Sequence, residues 1–166
     1  FLSKPQPGMT QLSTATALAD LDHLERMALV ERPDRRPAAV LMADLEASSP
    51  LARRLSTAQY FAFGRRLVRA ADQCIVDHGG IVGRHAGDGV VAFFLAETAG
   101  SESAAARACI ETARALRTAV IDVAERSGLQ PSDVSLRFGL HWGATLYVGR
   151  ITTVGRSEVT ALGDEV

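Results

Sequence analysis

Apolar and polar positions recur with different periods along the 166-residue chain, and each change of period marks an element. Residues 1–8 carry Pro5, Pro7 and Gly8, which disfavour regular structure, and read as a lead. From Thr10 to Val30 the apolar side chains Ala17, Leu21, Leu24 and Ala28 are spaced four, three and four apart, which predicts a helix. That spacing fits either a coiled-coil seam or an amphipathic helix packed on its own domain. Arg32-Pro33-Asp34-Arg35-Arg36-Pro37 then breaks the pattern with two prolines and a cluster of charge. We divide the chain here, into a lead, helix and linker over 1–37 and a folded domain over 38–166.

Ala38 to Ala43 is a short apolar run ending at Asp44, the pattern of a strand buried on both faces. Ser48, Ser49 and Pro50 predict a helix start, with Ser49 as the N-cap and Pro50 in the first helical position. Helical spacing continues from Leu51 to His78, with a break near Ser56-Thr57, and stops at Gly79-Gly80. Ile81–His85 and Val90–Leu95 read as strands flanking a Gly87-Asp88-Gly89 hairpin turn. An alanine-rich helix follows from Ser101 to Arg126, and three strand-like runs complete the chain: Val134–His141, Leu146–Val154 and Val159–Leu162. This order predicts an α+β fold, a sandwich of the ferredoxin-like kind with helices on one face of the sheet.

Composition narrows the possible functions. Hydrophobic residues make up 47% and charged residues 22%, as in soluble globular domains, and the length suits one domain. A net charge of −1 provides no basic field for a nucleic acid and no polybasic footprint for a membrane surface. Cys74 and Cys109 lack the spacing of metal ligands or of a secreted disulfide framework, and are expected to be buried, reduced thiols. No apolar run has the length of a membrane span and the N-terminus lacks the regions of a signal peptide, so a cytoplasmic location is expected.

Two acidic residues stand out by position. Asp44 lies where a buried strand exits, and Asp88 at the tip of a hairpin. If the first strand lies beside the hairpin, both carboxylates project from one end of the sheet. Such an oxygen-only set suits magnesium or manganese carrying substrate phosphates. Taken singly, each has a plainer role, Asp44 capping the next helix and Asp88 suiting its turn. Glu46-Ala47-Ser48-Ser49 joins the strand to a helix start through small residues, so its backbone amides either cradle phosphate oxygens or serve only as caps.

The stretches ADLEASSPLARRLS, GGIVGRHAGDGVVAFF and RFGLHWGATLYVGRITTVGRSEVTALGDEV resemble, in this order, the catalytic domain of class III adenylyl and guanylyl cyclases. The resemblance covers about residues 38–166. It implies two metal ions, Mg2+ or Mn2+, held by Asp44, Asp88 and the backbone carbonyl of Leu45. It also implies a homodimer with the active site at its interface. Residues Glu46 to Ser49 would bind the triphosphate. Arg84 falls where the family commonly has an adenine-selecting lysine, and Thr160 where it has an aspartate or, in a bacterial subgroup, a threonine. Guanylyl cyclases usually carry glutamate at the first of these places, so ATP is the expected substrate, giving 3′,5′-cyclic AMP and pyrophosphate.

The chain departs from the family at several points. Ala47 and Ser48 replace a glycine and a phenylalanine, and a forked guanidinium at Arg84 replaces a compact ammonium. The family's transition-state asparagine and arginine follow directly after ALGDEV, where this sequence ends, so the domain is expected to be cut short there. Two other readings keep the same fold: a non-catalytic regulatory or dimerisation module, and a guanylate cyclase. His141, Trp142 and His85 are expected to serve structure rather than chemistry.

Overall fold

The computed structural model describes residues 22–163. Residues 22–29 form a helix (α1), followed by β1 (Asp34–Leu45), α2 (Ser48–Arg54), α3 (Thr57–Asp77), β2 (Ile81–Ala86) and β3 (Gly89–Leu95). Then come the short α4 (Ala96–Ala99), the long α5 (Glu102–Arg126), a 3-10 turn at Pro131–Asp133, β4 (Leu136–Thr153) and β5 (Arg156–Leu162). The molecule is α+β, as the pattern predicts. Its five strands form one sheet in the order β2-β3-β1-β4-β5, with every neighbouring pair antiparallel. The apolar run before Asp44 thus becomes the middle strand.

Period-2 alternation divides β1 between two cores. Ala39, Leu41 and Ala43 face α3 and α5, where they pack with Val90, Ala92 and Phe94 of β3 and with Ala71, Ile75, Ala105, Cys109 and Leu116 of the helices. Ala38 and Val40 face the other way. There β5 and the second half of β4 fold back over the sheet, so that Leu146, Val148, Val159 and Ala161 cover Ile81, Phe93 and Leu95, and Val30 joins them after α1. Glycine makes this possible where β2 meets β5, because a Cβ on Gly83 would lie 2.8 Å from the Val159 carbonyl oxygen. A third cluster, around Leu45, Leu51, Phe63 and Val120, ties α2, α3 and α5 to the exit of β1.

The helices begin and end for local reasons. The predicted break between α2 and α3 is a capping box, in which the Ser56 hydroxyl accepts from the Gln59 amide and the Gln59 side chain accepts from the Ser56 amide. Gly79, at φ +77°, follows the end of α3. Both cysteines are free thiols, and burial pushes the Cys109 pKa up to about 11. Among the described residues no helix is long and apolar enough to cross a membrane.

Three expectations are corrected. First, β1 starts at Asp34 rather than Ala38, because Asp34, Arg35 and Arg36 also pair with β4, across a register shift between Arg36 and Ala38. Pro37 sits in that irregularity, where a residue without an N–H costs the ladder nothing. Second, Val134–His141 and Leu146–Val154 are not separate strands. β4 runs through Gly143-Ala144-Thr145, and the Leu146 side chain fills the space beside Gly143, 2.4 Å from where a Cβ would stand. Third, Ser49 is not an N-cap: α2 begins at Ser48, and Ala47 holds the cap position at φ +51°, without a side-chain cap bond. The earlier turns of the expected N-terminal helix, with Ala17 and Leu21, lie outside the described residues, as do Asp164 to Val166.

Candidate functional site

Asp44 ends the exposed alternation of β1, on the same side of the strand as Met42, and both are exposed. The register Ala43↔Val90 sets it beside Gly89, the residue after Asp88. The approach is tight, since a Cβ on Gly89 would stand 3.1 Å from Asp44 Oδ1 and 3.3 Å from two carbonyl oxygens. The hairpin turn before it is made by Gly87 at φ +63° and by Asp88. The structure therefore brings Asp44 and Asp88 to one end of the sheet. Asp88 borders the groove beside α3, and its Oδ2 is buried with no hydrogen-bond partner. A buried carboxylate oxygen in that state is costly unless a cation or ordered water meets it, so the site fits a metal ion by the chemistry of its donors. Among the described residues no set of three or more His, Cys, Asp and Glu side chains gathers around a common point.

Leu45 follows Asp44 with its side chain in the core. The Glu46 amide donates to the Ser135 carbonyl at 2.8 Å and is thus removed from any phosphate cradle, while its carboxylate lies 3.6 Å from Arg137. Ala47, Ser48 and Ser49 remain at the turn. Sequence reasoning missed Tyr60, in the first turn of α3. Its phenol shares the groove with Ser48 and Asp88. Burial raises the Tyr60 pKa and the Asp88 charge adds to the effect, against a hydrogen bond with Ser48. No periodicity marks this residue, because its role depends on the fold of α3 across the turn.

The second group of predicted residues meets elsewhere, on the face of the sheet turned away from α3 and α5. Arg84 of β2 and Thr160 of β5, from opposite edges of the sheet, line one slot walled by Val40, Met42, Val91, Phe93 and Leu146. His141 stands at its border, whereas Trp142 turns to the helix side and packs against that core. The slot has apolar walls, and its polar groups are the donor-only Arg84 guanidinium, the Thr160 hydroxyl and the His141 imidazole, a set that suits an apolar ligand with hydrogen-bonding groups on its edge. Glu158 was also missed. It lies 4.0 Å from Arg84 Nη1 and 2.5 Å from Arg156 Nη2. His85 points to the helix side, where Nε2 is 2.8 Å from Asp72 Oδ1, and that hydrogen bond is the main cause of its raised pKa. Asp44 and Asp88 on the one hand, and Arg84 and Thr160 on the other, form separate groups within one chain.

Neither a family model nor a curated protein sequence matches the chain. Solved structures do. The adenylyl cyclase CyaB from P. aeruginosa superposes with a TM-score of 0.70 at 18% identity, over 81% of this chain and 69% of that one. The guanylyl cyclase Cya2 gives 0.69 at 24% identity, over 80% of this chain and 66% of that one. A class III adenylyl cyclase-like ATP-binding protein from Pseudomonas aeruginosa gives 0.65 at 22% identity, over 79% of this chain and 29% of that one. This chain thus spans about two thirds or less of the chains it resembles. Its described residues have the fold of a class III nucleotidyl cyclase catalytic domain.

Proposed function

We propose that the protein is a class III nucleotidyl cyclase that converts ATP to 3′,5′-cyclic AMP and pyrophosphate as a homodimer. The observation that carries this reading is the meeting of Arg84 and Thr160 in one apolar slot on a sheet whose end carries Asp44 and Asp88. On these grounds the catalytic unit runs from Asp34, where β1 begins, through the expected domain of residues 38–166, and the lead, helix and linker precede it. The strand order β2-β3-β1-β4, with a helical segment between β1 and β2 and another between β3 and β4, supports the ferredoxin-like classification.

In this reading the purine enters the slot, and its apolar walls exclude water. Arg84 donates to adenine N1, an acceptor, and the Thr160 hydroxyl accepts from the 6-amino group. Ala47, Ser48 and Ser49 approach the triphosphate at the turn into α2. Asp44, Asp88 and the Leu45 carbonyl hold the two divalent ions, Mg2+ or Mn2+, which when bound lower the pKa of the ribose 3′-hydroxyl and neutralise the leaving pyrophosphate. The carboxylates of one subunit face the slot of the other across the dimer, so each subunit supplies half of every site. Positioning of the 3′-oxygen against the α-phosphorus is then the main contribution of the protein.

The test is product analysis with ATP and GTP side by side in the presence of Mn2+, with Asp44→Ala as control. Cyclic AMP from the parent protein and at most a trace from the variant is expected. No cyclic product from either nucleotide, or equal product from parent and variant, rejects the proposal. One observation favours a second reading, nucleotide binding without turnover: Ala47 and Ser48 replace the family's usual residues, and a solved structure of the same fold is described as an ATP-binding protein. Tight ATP binding without product identifies that case.

A further inference from the structure

Strand alternation sets two side chains of β2 back to back. Arg84 lines the slot, and the next residue, His85, points to the helices, where Nε2 lies 2.8 Å from Asp72 Oδ1 on α3. The ring is held a second time, through a hydrogen bond with the Gly89 backbone. The turn between these positions is Ala86-Gly87-Asp88-Gly89. Three of its four residues have no side chain that can hydrogen-bond, and Gly87 is at φ +63°, so Asp88 is the only polar side chain the turn owns. α3 meets the turn along one face: Val68 borders both cavities that Asp88 borders, and Asp72 follows one helical turn later. His85 borders the smaller of the two, together with Asp88.

We propose that His85 is a positioning residue for the cation site: clasped to Asp72, it fixes the Asp88 turn against α3 and so holds the Asp88 carboxylate in place before any ion arrives. The inference rests on the reading above in which Asp88 ligates a divalent ion. A glycine-rich turn samples many backbone conformations, and an ion that has to order it loses part of its binding free energy in doing so. A turn already tied to a helix avoids that loss. Asp88 does not do the anchoring itself, because its Oδ2 is buried and meets no hydrogen-bond donor, which leaves that oxygen's acceptor capacity for the ion. Groups that orient a ligand from outside the coordination sphere change metal affinity by about 10–100-fold. His85 acts through the backbone of the turn rather than on the carboxylate, which puts its effect at the lower end of that range, about tenfold.

The experiment titrates Mn2+ alone, followed by the electron paramagnetic resonance signal of the free ion, into the parent protein, His85→Ala, His85→Gln, Asp72→Asn and Asp88→Ala, each kept well below its melting temperature. His85→Ala and Asp72→Asn should each raise the dissociation constant about tenfold, and the double variant no further, since the two residues act as one clasp. His85→Gln, whose amide still donates to Asp72, should retain part of the affinity. A fall in melting temperature with an unchanged dissociation constant is the mark of a purely structural pair and overturns the inference, while leaving Asp88 as a ligand. Asp72→Asn decides the matter where His85→Ala does not fold, because the Asp72 side chain is 40% exposed and asparagine fits the same space. If Asp88→Ala binds Mn2+ as the parent does, or the parent binds none, the reading of Asp88 falls and the inference with it.

Discussion

Leu41 and Met42 are neighbours on the middle strand and have opposite fates. Leu41 is fully buried under α3 and α5, while Met42 is 47% exposed on the other side, beside Asp44 and Arg84. The whole sheet repeats this contrast. Its helix-covered face is closed by Phe94, Ile75 and Leu116, each at most 1% exposed. The opposite face is covered where β4 and β5 fold over it and where Val30 packs after α1, and the remainder carries Met42 and Asp44. Beyond Val40, burial on the middle strand is therefore one-sided, so its two sides are separable by substitution.

The largest expected effect breaks the contrast most directly. Leu41→Ala should destabilise the fold by about 2–5 kcal/mol, as in other buried large-to-small changes, while Met42→Ala should cost no more than about 1 kcal/mol. Equal losses in chemical denaturation would show that the open face carries load as well. Next comes Asp88→Asn, which removes charge from a carboxylate whose Oδ2 is buried without a partner. On the proposed cyclase reading, turnover should fall about a hundredfold, whereas the melting temperature should hold or rise. A fall in both would reassign Asp88 to structure.

Gly163→Ala sharpens the comparison at the end of β5. Gly163 has φ +115°, and a Cβ there would stand 2.7 Å from the Tyr147 ring, which Arg35 covers at 4.9 Å. The substitution should cost about 1–3 kcal/mol, measurable by urea titration. The smallest effect belongs to His85. Its folded pKa is raised above 6.5, chiefly by the hydrogen bond to Asp72, so the stability it contributes is fully present below pH 6.5 and is lost as pH rises through the folded value. The gap in melting temperature between the parent and Asp72→Asn should therefore shrink from pH 6 to pH 9. A gap independent of pH would show that the pair acts without its charge.

Much of this arrangement is legible in the sequence wherever one residue type serves a local need. The Asp44 strand exit, the Gly87-Asp88 turn and the break before Thr57 are of that kind, and each stands where its pattern put it. The misreadings have tertiary causes. Gly143-Ala144-Thr145 looks like a connection because small residues interrupt the alternation, yet the Leu146 side chain occupies the space that Gly143 leaves and the strand continues. Ser49 looks like a cap, but Ala47 takes the left-handed position first. Tyr60 meets Ser48 and Asp88, and Glu158 meets Arg84, only when separate elements come together, across the turn into α2 and across the two outer strands. No local pattern encodes such pairs.

The touching of Gly83 and Val159 has a consequence for behaviour in concentrated solution. A sheet with two free margins offers unpaired amides and carbonyls as a template on which other chains add strands. Here the outermost strands shield one another where they meet, so a bulkier residue at position 83 would push them apart and open that template. Glycine at that position thus keeps the two outer strands in contact and shapes the curl of the sheet.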